Sequence, residues 1–188
     1  MNIANKLTVL RLILIPVFEV FFFIRAIPFN YVIAAAIFCI AAFTDFLDGY
    51  FARKLGLVTN LGKFLDPIAD KVLVATAMIL LLTVPEVLPP VIGGICVTII
   101  LARELMISAF RQIAATQNIV MAADMTGKVK TCFQDLALIV LLVTCQLTET
   151  AVFVYFYYAG LGLLIAATLL TVISAINYIV KNRQVLKS

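Results

Sequence analysis

Long apolar runs alternate with short polar breaks along this chain, and the breaks set the elements. Six runs, at about 7–25, 29–51, 65–84, 91–115, 127–147 and 152–180, each supply the roughly 20 residues that carry a helix across a bilayer. A polar start, residues 1–6, predicts a short segment lying at the interface before the first span, within which Pro16 is tolerated as a kink. The links at 53–63 and 116–126 are polar, the first too short to cross a membrane, and 85–90 is a turn by its prolines. A basic tail, KNRQVLKS, follows the sixth run.

Composition narrows the class. Of 188 residues 64% are hydrophobic and 13% charged, whereas a soluble domain carries about 25% charge. The expectation is an all-α integral membrane protein with six transmembrane helices, a single membrane domain over residues 1–188. The first run carries Arg11 and Glu19 and lacks an A-x-A-like cleavage site, so it reads as retained rather than as a signal peptide. Cys39, Cys96, Cys132 and Cys145 are scattered through apolar segments without a CxxC pair, which predicts buried free thiols. Nothing points to a nucleic-acid partner.

Charge placement orients the chain. With six spans both termini share one face, and Lys6, Arg11, Arg53, Lys54, Lys63, Lys128, Lys130, Lys181, Arg183 and Lys187 fall near it; the other face has Arg25 with Glu86 and Glu149. By the positive-inside rule the termini are cytoplasmic. The same topology brings Asp45, Asp48, Asp66 and Asp70 level with Arg103, Arg111, Lys128 and Lys130, so nearly all the charge lies in one layer. A layer of that kind suits work at the cytoplasmic membrane surface on something anionic and partly lipidic.

The stretch from Thr44 to Lys71 holds the four carboxylates. Asp45 and Asp48 are three apart and Asp66 and Asp70 four apart, so on helices each pair shares a face within about 40–60°. Acids in a bilayer cost roughly 2.5–3.5 kcal/mol each at its centre, which asks for a compensating cation. The chain has no His, and its Cys lie elsewhere, so the donors are hard oxygens suited to Mg²⁺ or Mn²⁺. Helix capping is the plainer role for any one of them, Asp66 before Pro67 above all, since proline suits the first helical position. Small Gly49 and Ala52 allow close approach of a substrate or of another helix.

DFLDGYFAR, eight further residues and GKFLDPIAD resemble the signature of the CDP-alcohol phosphotransferase family, DGxxAR with an upstream Asp, then GxxxDxxxD. The resemblance implies that Asp45, Asp48 and Asp66 hold two divalent ions and that Asp70 is the catalytic base, with a possible metal contact of its own. It further implies that Gly49, Ala52 and Gly62 line a cytidine pocket and that Arg53 meets the nucleotide's diphosphate, a pairing guanidinium geometry favours. Asn5, Thr8 and Arg11, on one face of the first span, resemble the family's N-terminal element and are carried as secondary contacts to the CDP-lipid. A homodimer is implied as well. Glu19, deeper in that span, has no role assigned.

The chemistry of such a site is phosphoryl transfer. Bridging divalent ions polarise a pyrophosphate and stabilise the departing phosphate, and a carboxylate within hydrogen-bond reach takes the proton of an alcohol nucleophile. Arg103 and Arg111 are eight apart, within about 80° on one helical face. A neutral acceptor has no use for such a pair, so an acceptor bearing its own phosphate is expected, with Arg103, Arg111, Lys128 and Lys130 binding it. RELMISAFRQIAA and GKVKT resemble the branch of the family whose acceptor is glycerol 3-phosphate. The expected reaction moves the phosphatidyl group of CDP-diacylglycerol to glycerol 3-phosphate, with release of CMP, at a bacterial cytoplasmic membrane. Flanking of spans and anionic-lipid binding are the plainer roles of the basic residues. The rivals are family members making phosphatidylserine, an inositol lipid phosphate or cardiolipin. More distant are a small cation channel or transporter, disfavoured by an outer half nearly bare of ionisable groups, and an inactive lipid-binding scaffold.

Overall fold

A computed structural model describes residues 3–55, 60–116 and 125–181, with side chains described at 6–44, 65, 68–114 and 125–181. Within these residues the chain is all helical: α1 (Ile3–Phe23), α2 (Asn30–Leu55), α3 (Asn60–Leu81), α4 (Pro90–Thr116), α5 (Met125–Thr144) and α6 (Phe153–Lys181). The six apolar runs are therefore six helices. α4 and α6 are long and apolar enough to cross a membrane, with mean hydropathy of 1.9 and 2.3 over their most apolar stretches.

Helix ends explain where the apolar pattern misplaced a boundary. Residues 3–6 are the first turn of α1, continuous in helix with the apolar run that follows, because nothing in IANKL breaks a helix. The polar link at 53–63 is mostly helix too: α2 runs on through Arg53 and Lys54 to Leu55, and α3 begins at Asn60. Arg, Lys and Leu are good helix formers, and leaving an apolar environment does not end a helix. Asp66 is consequently inside α3, six residues past its first residue, and Asn60, a favoured N-cap type, stands at the start instead. The proline turn is as expected, with Pro90 opening α4, where its missing N–H costs nothing.

The turn between α1 and α2 is closed by side-chain chemistry. Asn30 is buried and its Nδ2 donates to the carbonyls of Phe22 at 3.0 Å and Phe21 at 3.3 Å, two acceptors left over at the end of α1. Phe29, just before it, has φ of 59°, a strained value for a bulky residue that the tight reversal imposes.

α1 packs chiefly on α2 and also on α3, α5 chiefly on α6, and α2 on α5; α4 lies against α6 and touches α3 lightly. The main core joins Phe18, Phe22 and Phe38 to Leu73, Met78, Leu81, Leu138 and Leu141, with the Phe18 and Phe38 rings 6.0 Å apart. Three buried threonine hydroxyls are satisfied within their own helices: Thr144, Thr168 and Thr171 donate to carbonyls four residues back at 2.6–2.8 Å. Gly160 lets α6 lie directly on α5, since a Cβ there would stand 2.7 Å from Leu141 Cδ2. The outward faces carry large exposed apolar side chains on all six helices, Ile13, Ile40, Ile79, Leu105, Leu136 and Leu169 among them. The thiols are free, with Cys96 and Cys145 buried and Cys39 half-buried; Cys132 is exposed, contrary to the expectation of burial, because it falls on the outward face of α5.

Candidate functional site

Four helices enclose one cavity of about 320 Å³. Asp70 and Lys71 enter it from α3, Arg103, Glu104, Ile107, Ser108 and Arg111 from α4, Gly127, Lys128 and Thr131 from the start of α5, and Tyr178 from the end of α6. The α4 contribution follows helical spacing over two turns, so one stripe of that helix is polar while Leu105 and Met106 face outward. Four cations and two carboxylates line the space, leaving it net positive.

Glu104 organises the positive charge. Its Oε1 accepts from Arg103 Nη1 at 2.9 Å and from Lys130 Nζ at 2.7 Å. Lys130 has a side chain only 1% exposed, and a cation so buried requires a partner of this kind. Arg103 reaches α6 as well, donating from Nη2 to Ser174 Oγ at 2.8 Å. Arg111 donates from Nε to the Tyr178 hydroxyl at 3.1 Å, and its guanidinium carbon lies 5.6 Å from that ring's centre. Gly127 lies beside this pair, where a Cβ would touch Arg103 Nη2 at 3.6 Å and Ser174 Oγ at 3.8 Å, ordinary contact distances.

A second cavity, about 260 Å³, opens between α3, α4 and α5. Its walls are largely apolar, with Val72, Val74, Ala75, Met78, Leu101 and Leu105, and it shares Asp70, Lys71, Glu104 and Thr131 with the first. Asp70 thus faces both a polar and an apolar space.

The sequence-predicted residues divide accordingly. Asp70, Arg103, Arg111 and Lys128 line one cavity, as the charge layer anticipates. Lys130, grouped with them in the sequence, lines the second cavity on the far side of Glu104. Thr8 and Arg11 share a face of α1 as expected, both fully buried in the bundle. Asp45, Asp48, Gly49, Ala52 and Arg53 lie in the last three turns of α2, and Gly62 and Asp66 in the first two of α3, helices that pack on each other. The side chains of these seven, and of Asn5, lie outside the described residues, so among the described residues no three acids assemble as a metal site. The oxygen-only donors carried by the α2 and α3 ends, with Asp70 already on the cavity wall, suit a hard divalent ion.

Sequence reasoning passed over Lys71, Ser174 and Tyr178. Lys71 adjoins Asp70 in an apolar run, a signal available without a structure. Ser174 and Tyr178 are four apart in the most apolar helix, where hydroxyls usually serve their own backbone.

Known proteins resemble the chain along nearly its whole length. The model of the CDP-alcohol phosphatidyltransferase family matches residues 1–176. A Bacillus subtilis (strain 168) protein named CDP-diacylglycerol–glycerol-3-phosphate 3-phosphatidyltransferase is 39% identical over 198 aligned positions, covering 100% of this chain and 98% of its own. Proteins of the same name from Escherichia coli (strain K12) and Rickettsia bellii (strain RML369-C) are 39% and 37% identical, over 95% and 94% of this chain and 93% of each relative.

Proposed function

The chain belongs to the CDP-alcohol phosphatidyltransferase family, and from that premise we propose that it transfers the phosphatidyl group of CDP-diacylglycerol to sn-glycerol 3-phosphate, giving phosphatidylglycerophosphate and CMP. The observation that carries this reading is one cavity that sets a carboxylate, Asp70, among Arg103, Arg111 and Lys128. Such a space accepts an alcohol that also bears a phosphate. The relatives' shared name supports the same donor and acceptor.

The steps follow from the residues. Arg111 and Lys128, with the field of Arg103, hold the acceptor's phosphate, and Asp70 accepts the proton of its primary hydroxyl. The freed oxygen bonds to the phosphorus that carries diacylglycerol, and the bond from that phosphorus to the CMP oxygen breaks. Members of this family depend on divalent metal ions; in this reading Asp45, Asp48 and Asp66 hold two, Mg²⁺ or Mn²⁺, which when bound would neutralise the pyrophosphate oxygens and the departing phosphate. Arg53, Gly49, Ala52 and Gly62 receive the cytidine diphosphate, Asn5 and Thr8 add secondary contacts, and the apolar second cavity suits an acyl chain. Lys130 acts through Glu104 rather than on substrate.

All six helices cross a bacterial cytoplasmic membrane in this reading, with both termini and the cavity on the cytoplasmic side, as the basic residues near the termini favour. The active particle is a homodimer, a point that the mass of the detergent-solubilised protein decides. Radiolabelled glycerol 3-phosphate, incubated with purified protein, CDP-diacylglycerol and Mg²⁺, is expected to enter a chloroform-soluble phosphatidylglycerophosphate with equimolar CMP. Label left in water, or a different alcohol preferred in an acceptor screen, would end the reading.

A further inference from the structure

The two arginines of α4 are held in different ways, and the difference assigns a part to α6. Arg103 spends its terminal nitrogens inside the protein, Nη1 on Glu104 and Nη2 on Ser174. Arg111 is held by the other end: Nε donates to the Tyr178 hydroxyl, while Nη1 and Nη2 have no hydrogen-bond partner among the described residues. Arg111 is exposed where Arg103 is half-buried, and both line the cavity.

Tyr178 is fit to be a fixed point. It is 2% exposed and belongs to a small apolar cluster with Ile107, Phe110 and Ala114, its ring meeting that of Phe110 edge-on at 6.1 Å and 70°. A guanidinium tied at Nε and resting near an aromatic ring has lost much of its rotational freedom before any ligand arrives. The paired terminal donors that remain match two oxygens of a phosphate.

We propose that Tyr178 is a specificity-determining positioning residue: by holding Arg111 at Nε it presents the Nη1–Nη2 edge to the acceptor's phosphate, whereas Arg103, tied to Glu104 and Ser174, supplies field rather than grip. The proposal rests on the phosphorylated-acceptor reading above and adds to it which arginine makes the contact and what aims it. Preorganisation of this kind strengthens binding of one ligand without touching it.

Tyr178→Phe keeps the ring and its packing and removes only the hydroxyl. In full-length protein in nanodiscs it is expected to raise KM for glycerol 3-phosphate about fivefold, less than the roughly tenfold or more that loss of a direct hydrogen bond to a charged group brings, because Arg111 itself remains, with KM for CDP-diacylglycerol unchanged and kcat little moved. The inhibition constant of inorganic phosphate against glycerol 3-phosphate should rise by the same factor. In an Arg111→Lys background, which has no Nε in that position, Tyr178→Phe should add nothing. Ser174→Ala should raise KM for glycerol 3-phosphate less than Tyr178→Phe does. Equal rises in both KM values, a fall in kcat alone, or full additivity with Arg111→Lys would overturn the proposal. Should the parent protein not use glycerol 3-phosphate at all, the reaction reading fails by itself, and thermal stabilisation by inorganic phosphate, weaker in Tyr178→Phe than in the parent, still decides the positioning claim.

Discussion

Gly160 and Gly127 both face a neighbouring helix, and they show two building rules in one bundle. At Gly160 a single added carbon would press on Leu141 at 2.7 Å and on Val140 at 3.2 Å, so α5 and α6 meet with no spare volume. At Gly127, where α5 begins beside the far end of α6, the same carbon would find only Arg103 Nη2 and Ser174 Oγ at ordinary contact distance. The first glycine is demanded by packing, whereas at the second a methyl group would fit against the polar side chains of the cavity. Between Gly160 and Tyr178, about 27 Å along α6, the helix passes from a dry seam to the wall of a charged cavity. Stability and chemistry are thus assigned to opposite ends of the same helices, and substitutions should separate them.

The largest effect is expected at the open end. Asp70→Asn removes the proton acceptor and should lower turnover by about 10³-fold, while thermal stability and CDP-lipid binding stay near the parent's. Metal binding measured on the same variant tests the assignment, since its loss would make Asp70 a ligand first. Glu104→Gln crosses the divide: it strips the carboxylate from Lys130 and should destabilise the protein by about 3 kcal/mol in denaturant titration as well as weaken activity. A stable Glu104→Gln protein would mean that Lys130 has another anion within reach.

At the closed end Gly160→Leu overpacks the α5–α6 seam and should cost about 2–3 kcal/mol with kcat per folded molecule unchanged. A loss of kcat in the folded fraction would join the two ends and spoil the comparison. The smallest stability effect is expected from Gly127→Ala, within about 0.5 kcal/mol, with a modest rise in KM for glycerol 3-phosphate from the narrowed cavity.

Much of the bundle was readable in the chain because apolar runs of bilayer length have few other uses, and the six helices fall on the six runs. Boundaries near 53–63 were not, since polarity marks where a helix leaves an apolar medium and says nothing of where its hydrogen bonds stop. Asp66–Pro67 imitates a helix start for the same local reasons that a real one would, and only the start of α3 at Asn60 removes the ambiguity. In the site, the charge layer of Asp70, Arg103, Arg111 and Lys128 could be inferred from topology. The division of labour among the cations could not. Lys128 and Lys130 are two apart and alike in sequence, yet α5 turns one to the cavity and buries the other on Glu104, a matter of helix rotation against α4. Tyr178 was invisible because its role exists only where α6 crosses Arg111.

Asn30, which closes the last carbonyls of α1 from the first residue of α2, has a consequence for how the protein fits its surroundings. In the proposed six-span arrangement, a corner that carries its own donors does not need to reach headgroups or water, so a thicker or thinner lipid layer would slide past it without exposing a bare acceptor. In that arrangement, adaptation to changing lipid composition would fall to the rim holding Asn30, with the depth of the reacting groups set independently at the other.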